Sequence, residues 1–307
     1  MRRRDFLYVT SGMVLSSGFL GACSQDLARQ EIVAKARLEN IGLQLSTVTS
    51  LMLKDFEGTL AAEIGYNEVE FSAMGLLGRP AKYVQQLLTA NNLKAPVGRI
   101  SPALPEGTLQ LPRDEIYKIF RQRGKPEFLL ENTRIAIGDA EHLNQKYLNL
   151  PAMMAEHFTS LDQVKRNIEL LNQAGDLCSE HGILFGYHNH NWELEPIEGV
   201  VPYDLMLEQT DPGKVGFQLD SYWVVKGGGN LDDYLTRFAG RFPSCHMKDI
   251  DNNGDFADVG DGEIDFPAFT RKAIAQGTKH FFVERDNPPA PEQSIERSYA
   301  YLNQMTF

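Results

Sequence analysis

The feature that most constrains this chain is an alternation that runs along nearly its whole length. Short runs rich in β-branched and aromatic residues fall at 41–45, 69–71, 95–101, 147–154, 183–190, 215–220, 244–248 and 280–284. Amphipathic helical stretches or long loops separate them. The helical half of the pattern is clearest after Thr159-Ser160-Leu161-Asp162, where Val164, Ile168, Leu171, Ala174 and Leu177 recur on one face. Gly182 then stops the helix just before the next strand. Further helices are expected at 131–144, 231–238 and 266–275, and the stretch from 102 up to the first of these reads as an elaborated loop. Eight strands, each followed by a helix or a long loop, is the count of a (β/α)8 TIM barrel, an α/β fold in a single domain. A doubly wound sheet is the runner-up. It is disfavoured because no GxGxxG follows the first strand and no break in composition marks a second domain.

The amino-terminal residues stand apart from this pattern. Arg3-Arg4-Asp5-Phe6-Leu7 fits a twin-arginine export signal, and the apolar run at 13–20 is too short to span a bilayer. Leu20-Gly21-Ala22-Cys23 resembles a bacterial lipobox. The expected organisation is a cleavable signal at 1–22, a linker with a first helix around 25–40, and the barrel at 41–307. The protein is thus expected on the periplasmic side, tethered by a lipid on Cys23. Ser24 is compatible with onward transfer to the outer membrane. Removing the signal takes away Arg2, Arg3, Arg4 and Asp5 and moves the net charge from −11 to −13. Such a charge repels nucleic acid and anionic lipid surfaces. The remaining cysteines, Cys178 and Cys245, are expected to be buried and free rather than paired.

In a barrel, function sits where strands end and the following loops begin. The last four strands end in "YHNHNWE", "GFQLDSYW", "SCHMKDI" and "FFVERDN". Each carries a metal-competent side chain there: His188 or His190, Asp220, His246 and Glu284. Two-residue alternation sends His188 and His190 to one face, with Tyr187 and Asn189 on the other. Mixed imidazole and carboxylate donors suit Mn²⁺, Mg²⁺, Co²⁺, Fe²⁺ or Zn²⁺, with Mn²⁺ favoured for two carboxylates and open positions. Lys248, two residues beyond His246, shares its face and is a candidate to polarise a substrate oxygen. Glu156, after the fourth strand, is a candidate general base. Trp192 and Glu193 are expected at the pocket rim, with Trp223 a further sugar platform. In "DIDNNGDFADVGDGE" the spacing begins like a calcium loop, but Gly260 stands where the closing glutamate is required, so a solvated loop over the pocket is expected.

Taken together, "IGLQLSTV", "AEIGYNEVEF", "LNQAGDLCSEHGILFGYHNHNWELEP", "GRFPSCHMKDID", "VGDGEIDFPA" and "FFVERDNP" resemble the sugar phosphate isomerase/epimerase family with its xylose isomerase-like TIM barrel. The resemblance runs from about Ile41 to Leu302. It implies one divalent ion at the ends of strands five to eight, held by His188 (where other members place a glutamate), Asp220, His246 and Glu284. His190 then takes a catalytic or substrate-binding position, and Gln218 replaces a common glutamate. The implied chemistry is proton abstraction next to a carbonyl by His190 or Glu156, with a pKa near neutrality. Expulsion of a group from the next carbon would make the enzyme a lyase or dehydratase. Outside the cytoplasm, where sugar phosphates are scarce, a keto-sugar or 3-keto-glycoside is the expected substrate. The alternative is a lipid-tethered sugar-binding protein without turnover. Endonuclease chemistry on a similar barrel is disfavoured by the charge and by a single cluster of ligands.

Overall fold

The computed structural model describes residues 36–60 and 64–307, so the expected signal, the lipobox and most of the linker lie outside the described residues. Residues 36–40, the described end of the expected first helix, are not helical. Ala36 instead exchanges two backbone hydrogen bonds with Phe307 (3.0 and 3.1 Å).

All eight expected strands are present. β1 (Gly42–Gln44), β2 (Glu68–Glu70), β3 (Val97–Arg99), β4 (Tyr147–Leu150), β5 (Leu184–His188), β6 (Val215–Asp220) and β7 (Ser244–Met247) precede a small antiparallel pair, β8 (Asp249–Ile250) and β9 (Phe256–Ala257). β10 (His280–Val283) supplies the eighth barrel strand. The parallel order is β2-β1-β10-β7-β6-β5-β4-β3. Lys94, just before β3, closes the ring against β2 through Val69 N–H to Lys94 O (2.8 Å) and Lys94 N–H to Asn67 O (3.1 Å). The eight parallel strands form a nearly closed TIM barrel.

The helices of the outer layer are α1 (Thr49–Lys54), α2 (Phe56–Leu60), α3 (Ala81–Ala90), α4 (Arg113–Arg123), α5 (Leu129–Leu143) and α6 (Leu161–Ser179). They continue with α7 (Pro202–Gln209), α8 (Ser221–Lys226), α9 (Leu231–Arg237), α10 (Phe266–Ala275) and α11 (Pro291–Gln304). α6 starts where its sequence says it should: the Ser160 side chain accepts from Gln163 N–H, and Val164, Ile168, Leu171 and Ala174 are buried. Asn144, in the left-handed conformation, ends α5. The expected loop before α5 proves to contain a helix of its own, α4, none of whose described side chains is buried. Its apolar residues, Ile116, Tyr117, Ile119 and Phe120, occupy little more than one turn between charged flanks, too short a stripe to stand out as a core-facing helix. No described helix is long and apolar enough to cross a membrane. Cys178 and Cys245 are buried and free, as expected.

Candidate active site

Alternation along the strands carries one set of side chains into the barrel. Gly186 leaves room for this on β5, since a Cβ there would collide with the Asn149 side chain. Its neighbour two positions on, His188, ends β5 in register with Gln218, and Asp220 pairs with His246 across β6 and β7. His188, Asp220, His246 and Glu284 are all buried, and each offers one ligand atom within 4.8 Å of the others.

The donors are oriented by a shell of hydrogen bonds. Gln218 Nε2 donates to Glu70 Oε1 (3.0 Å), which turns Gln218 Oε1 toward His188 Nδ1 (3.1 Å). That contact places the His188 proton on Nδ1 and leaves Nε2 a lone pair, 3.7 Å from Asp220 Oδ2. His246 Nε2 meets Glu70 Oε2 at 2.6 Å, and its Nδ1 faces Glu284 Oε2 (2.8 Å) and Asp220 Oδ2 (3.6 Å). An amide oxygen behind His188 and a carboxylate behind His246 give each ligand imidazole the outer support usual in a metal site. Gln44 Nε2 holds Glu70 Oε2 at 2.8 Å, and Ser46 Oγ holds Glu284 Oε1 at 2.7 Å.

Asp220 completes the argument. Its Oδ1 caps α8 by accepting from Trp223 N–H (2.9 Å), but its Oδ2 is buried with no hydrogen-bond partner. A buried carboxylate oxygen without a partner is costly unless a cation meets it. The charges agree. Glu70, Asp220, Glu284 and Asp286 stand against Arg99 and Lys248, leaving two negative charges uncompensated when the imidazoles are neutral. The residues present therefore fit a divalent cation. In the protein alone that excess is felt by His246. Burial opposes its charge, but Glu284 and Glu70 prevail and hold its pKa up at about 10. Burial would raise the Glu284 carboxyl, yet Lys248 and His246 hold it well below its usual range.

Lys248 Nζ bonds Asp286 Oδ2 (2.6 Å) and Glu284 Oε2 (3.1 Å) and lies 5.1 Å from the Trp223 ring centre. These carboxylates outweigh burial and keep it protonated. His190 stacks on Trp192 with ring centres 4.3 Å apart, lines the cavity, and has an unpartnered Nδ1. Burial first, and Lys248 second, depress it to about 3, so it does not titrate near neutrality as expected.

Four expected positions are corrected. Glu193 is not at the rim. It is fully buried, accepting from Tyr187 Oη (2.5 Å) and His190 N–H (2.9 Å), and burial lifts it to about 8. Trp192 gives one face to His190 and its N–H to Met153 O (3.0 Å), so it is a wall behind the cavity rather than an open platform. Glu156 lies apart from the cluster, 54% exposed and paired with Arg121 at 2.9 Å. Trp223 backs Lys248 and likewise does not line the cavity.

Several site residues escaped the sequence reading: Glu70, Gln44, Ser46, Arg99 and Asp286. Arg99 is buried, 3.4 Å from both Glu70 and His246, and its Nη1 has no partner. The signal available for Glu70, Arg99 and Gln44 was a charged or amide residue at the carboxyl end of strands one to three, the rule applied only to strands five to eight. The cavity above the cluster has a volume of about 290 Å³.

Comparison with known proteins agrees with this architecture. Residues 59–305 match the family described as the xylose isomerase-like TIM barrel, and the chain belongs to that family. A sugar phosphate isomerase/epimerase from Parabacteroides distasonis superposes with a TM-score of 0.71 at 26% identity, over 87% of this chain and 98% of that one. The inosose dehydratase of Clostridium perfringens is 24% identical over 194 residues, 56% of this chain and 65% of the relative. That of Geobacillus thermodenitrificans is 30% identical over 148 residues, 42% of this chain and 49% of the relative. The chain thus spans about half to two thirds of the length of these curated relatives.

Proposed function

We propose that the protein is a divalent-metal-dependent enzyme that moves a proton next to a carbonyl of a small, non-phosphorylated sugar-like substrate, as an isomerase, epimerase, lyase or dehydratase. The observation that carries this reading is the convergence of four buried ligand atoms on the unpartnered Asp220 Oδ2. His188 Nε2, Asp220 Oδ2, His246 Nδ1 and Glu284 would hold the ion, with Mn²⁺ favoured by the mixed donor set. When bound, it supplies Lewis-acid polarisation of a carbonyl and the hydroxyl beside it.

The other residues supply positioning and proton handling. Arg99 Nη1, buried without a partner, is a ready donor to a substrate oxygen. Lys248, fixed between Glu284 and Asp286, sets a permanent positive charge where negative charge develops on an oxygen. His190 is kept neutral by burial and so can accept a proton. Negative charge growing beside it offsets the burial that depresses its basicity. The neighbouring families of relatives, a sugar phosphate isomerase/epimerase and an inosose dehydratase, support carbonyl-adjacent chemistry on polyhydroxylated rings.

The direct test is incubation of the Mn²⁺-loaded protein with ketoses, aldoses and 3-keto-glycosides in deuterated water. Deuterium is expected to enter one of these at carbon next to the carbonyl, and His190→Ala should slow it at least a hundredfold. Tight binding without exchange would instead make the protein a sugar receptor. We further propose export and lipid tethering at Cys23, on the motif Leu20-Gly21-Ala22-Cys23. Labelled palmitate should enter the wild type in cells and not Cys23→Ser; equal labelling of the two would refute the anchor.

A further inference from the structure

The cavity has two unlike halves. One is the polar floor of the cluster. The other is built by the β3–β4 connection and the segment after β4, where Tyr117 and Phe120 of α4 face Ile100, Leu150, Met153 and Met154 across the same space.

α4 is unusual among the helices of this barrel. Every other described helix of eight or more residues buries at least three side chains, whereas no described side chain of α4 is buried. It is held by polar ties at its carboxyl end and flank. Arg121 pairs with Glu156 (2.9 Å), Arg123 Nε donates to Ala103 O (3.1 Å), and Asn132 Nδ2 donates to Arg123 O (2.9 Å). The helix is thus fixed beside the cavity with its apolar residues only partly covered: Tyr117 is 59% exposed, Ile116, Ile119 and Phe120 are half-buried, and Met154 opposite is 38% exposed. Apolar surface that lines a concave site next to a polar cluster marks the place of a ligand's apolar part.

We infer that the substrate is a glycoside whose apolar, ring-sized aglycone packs between α4 and the methionines after β4, with its sugar ring on the polar floor. This rests on the functional reading given above and adds the class of substrate to it. A free sugar presents hydroxyls on nearly every carbon and would leave Tyr117, Phe120 and Met154 as exposed as they are now. A planar or compact apolar group would cover them.

The test is calorimetric titration of the intact protein with phenyl and methyl 3-keto-β-D-glucopyranoside, which share the carbonyl-bearing sugar ring that the functional reading requires and differ in aglycone. The phenyl compound should bind at least about tenfold more tightly. That preference should shrink to about twofold in Tyr117→Ala and in Phe120→Ala. Tyr83→Ala, which alters an exposed tyrosine outside the cavity, should keep the full preference. Equal affinity for the two compounds, a preference that survives both α4 substitutions, or no binding of either overturns the inference. The functional reading fails separately, through absence of deuterium exchange in every sugar offered, free ketoses included.

Discussion

Glu193 shows how a single buried carboxyl can mark this site from outside it. It accepts from Tyr187 Oη and from His190 N–H, and burial raises it from 4.5 to about 8. Between those values the folded protein keeps a proton that the unfolded chain has lost. The contribution to stability is therefore full below about pH 4.5 and declines as pH rises toward 8, by up to about 1.4 kcal/mol per pH unit. Glu193→Gln keeps the shape and removes the titration. Urea unfolding at pH 5, 6.5 and 8 should show the wild type losing ground to the variant at each step. Parallel pH profiles would mean that Glu193 is ionised throughout. The same residue scale explains why the two histidines of "YHNHN" differ. His188 has its Nδ1 tied by Gln218 and its Nε2 free toward Asp220, whereas His190 is stacked on an indole with an unpartnered Nδ1.

At the scale of elements, the β8–β9 segment that begins like a calcium loop is organised by one carboxylate. Asp249 accepts from the N–H groups of Ile250 (2.9 Å), Gly260 (3.0 Å), Gly262 (2.9 Å) and Ile264 (3.2 Å). Gly262 is required there, because a Cβ would run into that carboxylate. Asp249→Ala strips four donors of their partner and should cost about 3 kcal/mol in chemical unfolding. Added Ca²⁺ should restore none of it, and rescue by Ca²⁺ would revive the calcium reading. The strands were legible as short apolar runs, and α5 and α6 as periodic apolar faces that end at Asn144 and begin at Ser160, whereas α3 and α11, without a capping side chain at their starts, were not read. α4 was not, since its apolar residues face a cavity rather than a core. Glu70 was missed for a different reason: its meaning lies in His246, 176 positions away, and no local spacing encodes that contact.

For the molecule as a whole, the barrel gathers charge that would be ruinous if scattered through a core. Glu70, Asp220, Glu284, Lys248 and Arg99 are all buried, and they offset one another only because eight strand ends meet in one place. With Asp286 counted and the imidazoles neutral the excess is two negative charges, and this and the partnerless Asp220 Oδ2 are the molecule's strongest pointers to a bound cation. Anomalous diffraction at the manganese edge from crystals grown with Mn²⁺ tests this most directly. A single strong peak per chain is predicted, within about 2.0–2.4 Å of His188 Nε2, Asp220 Oδ2, His246 Nδ1 and a Glu284 oxygen. No peak among these four residues, or a peak elsewhere in the barrel, would contradict the account.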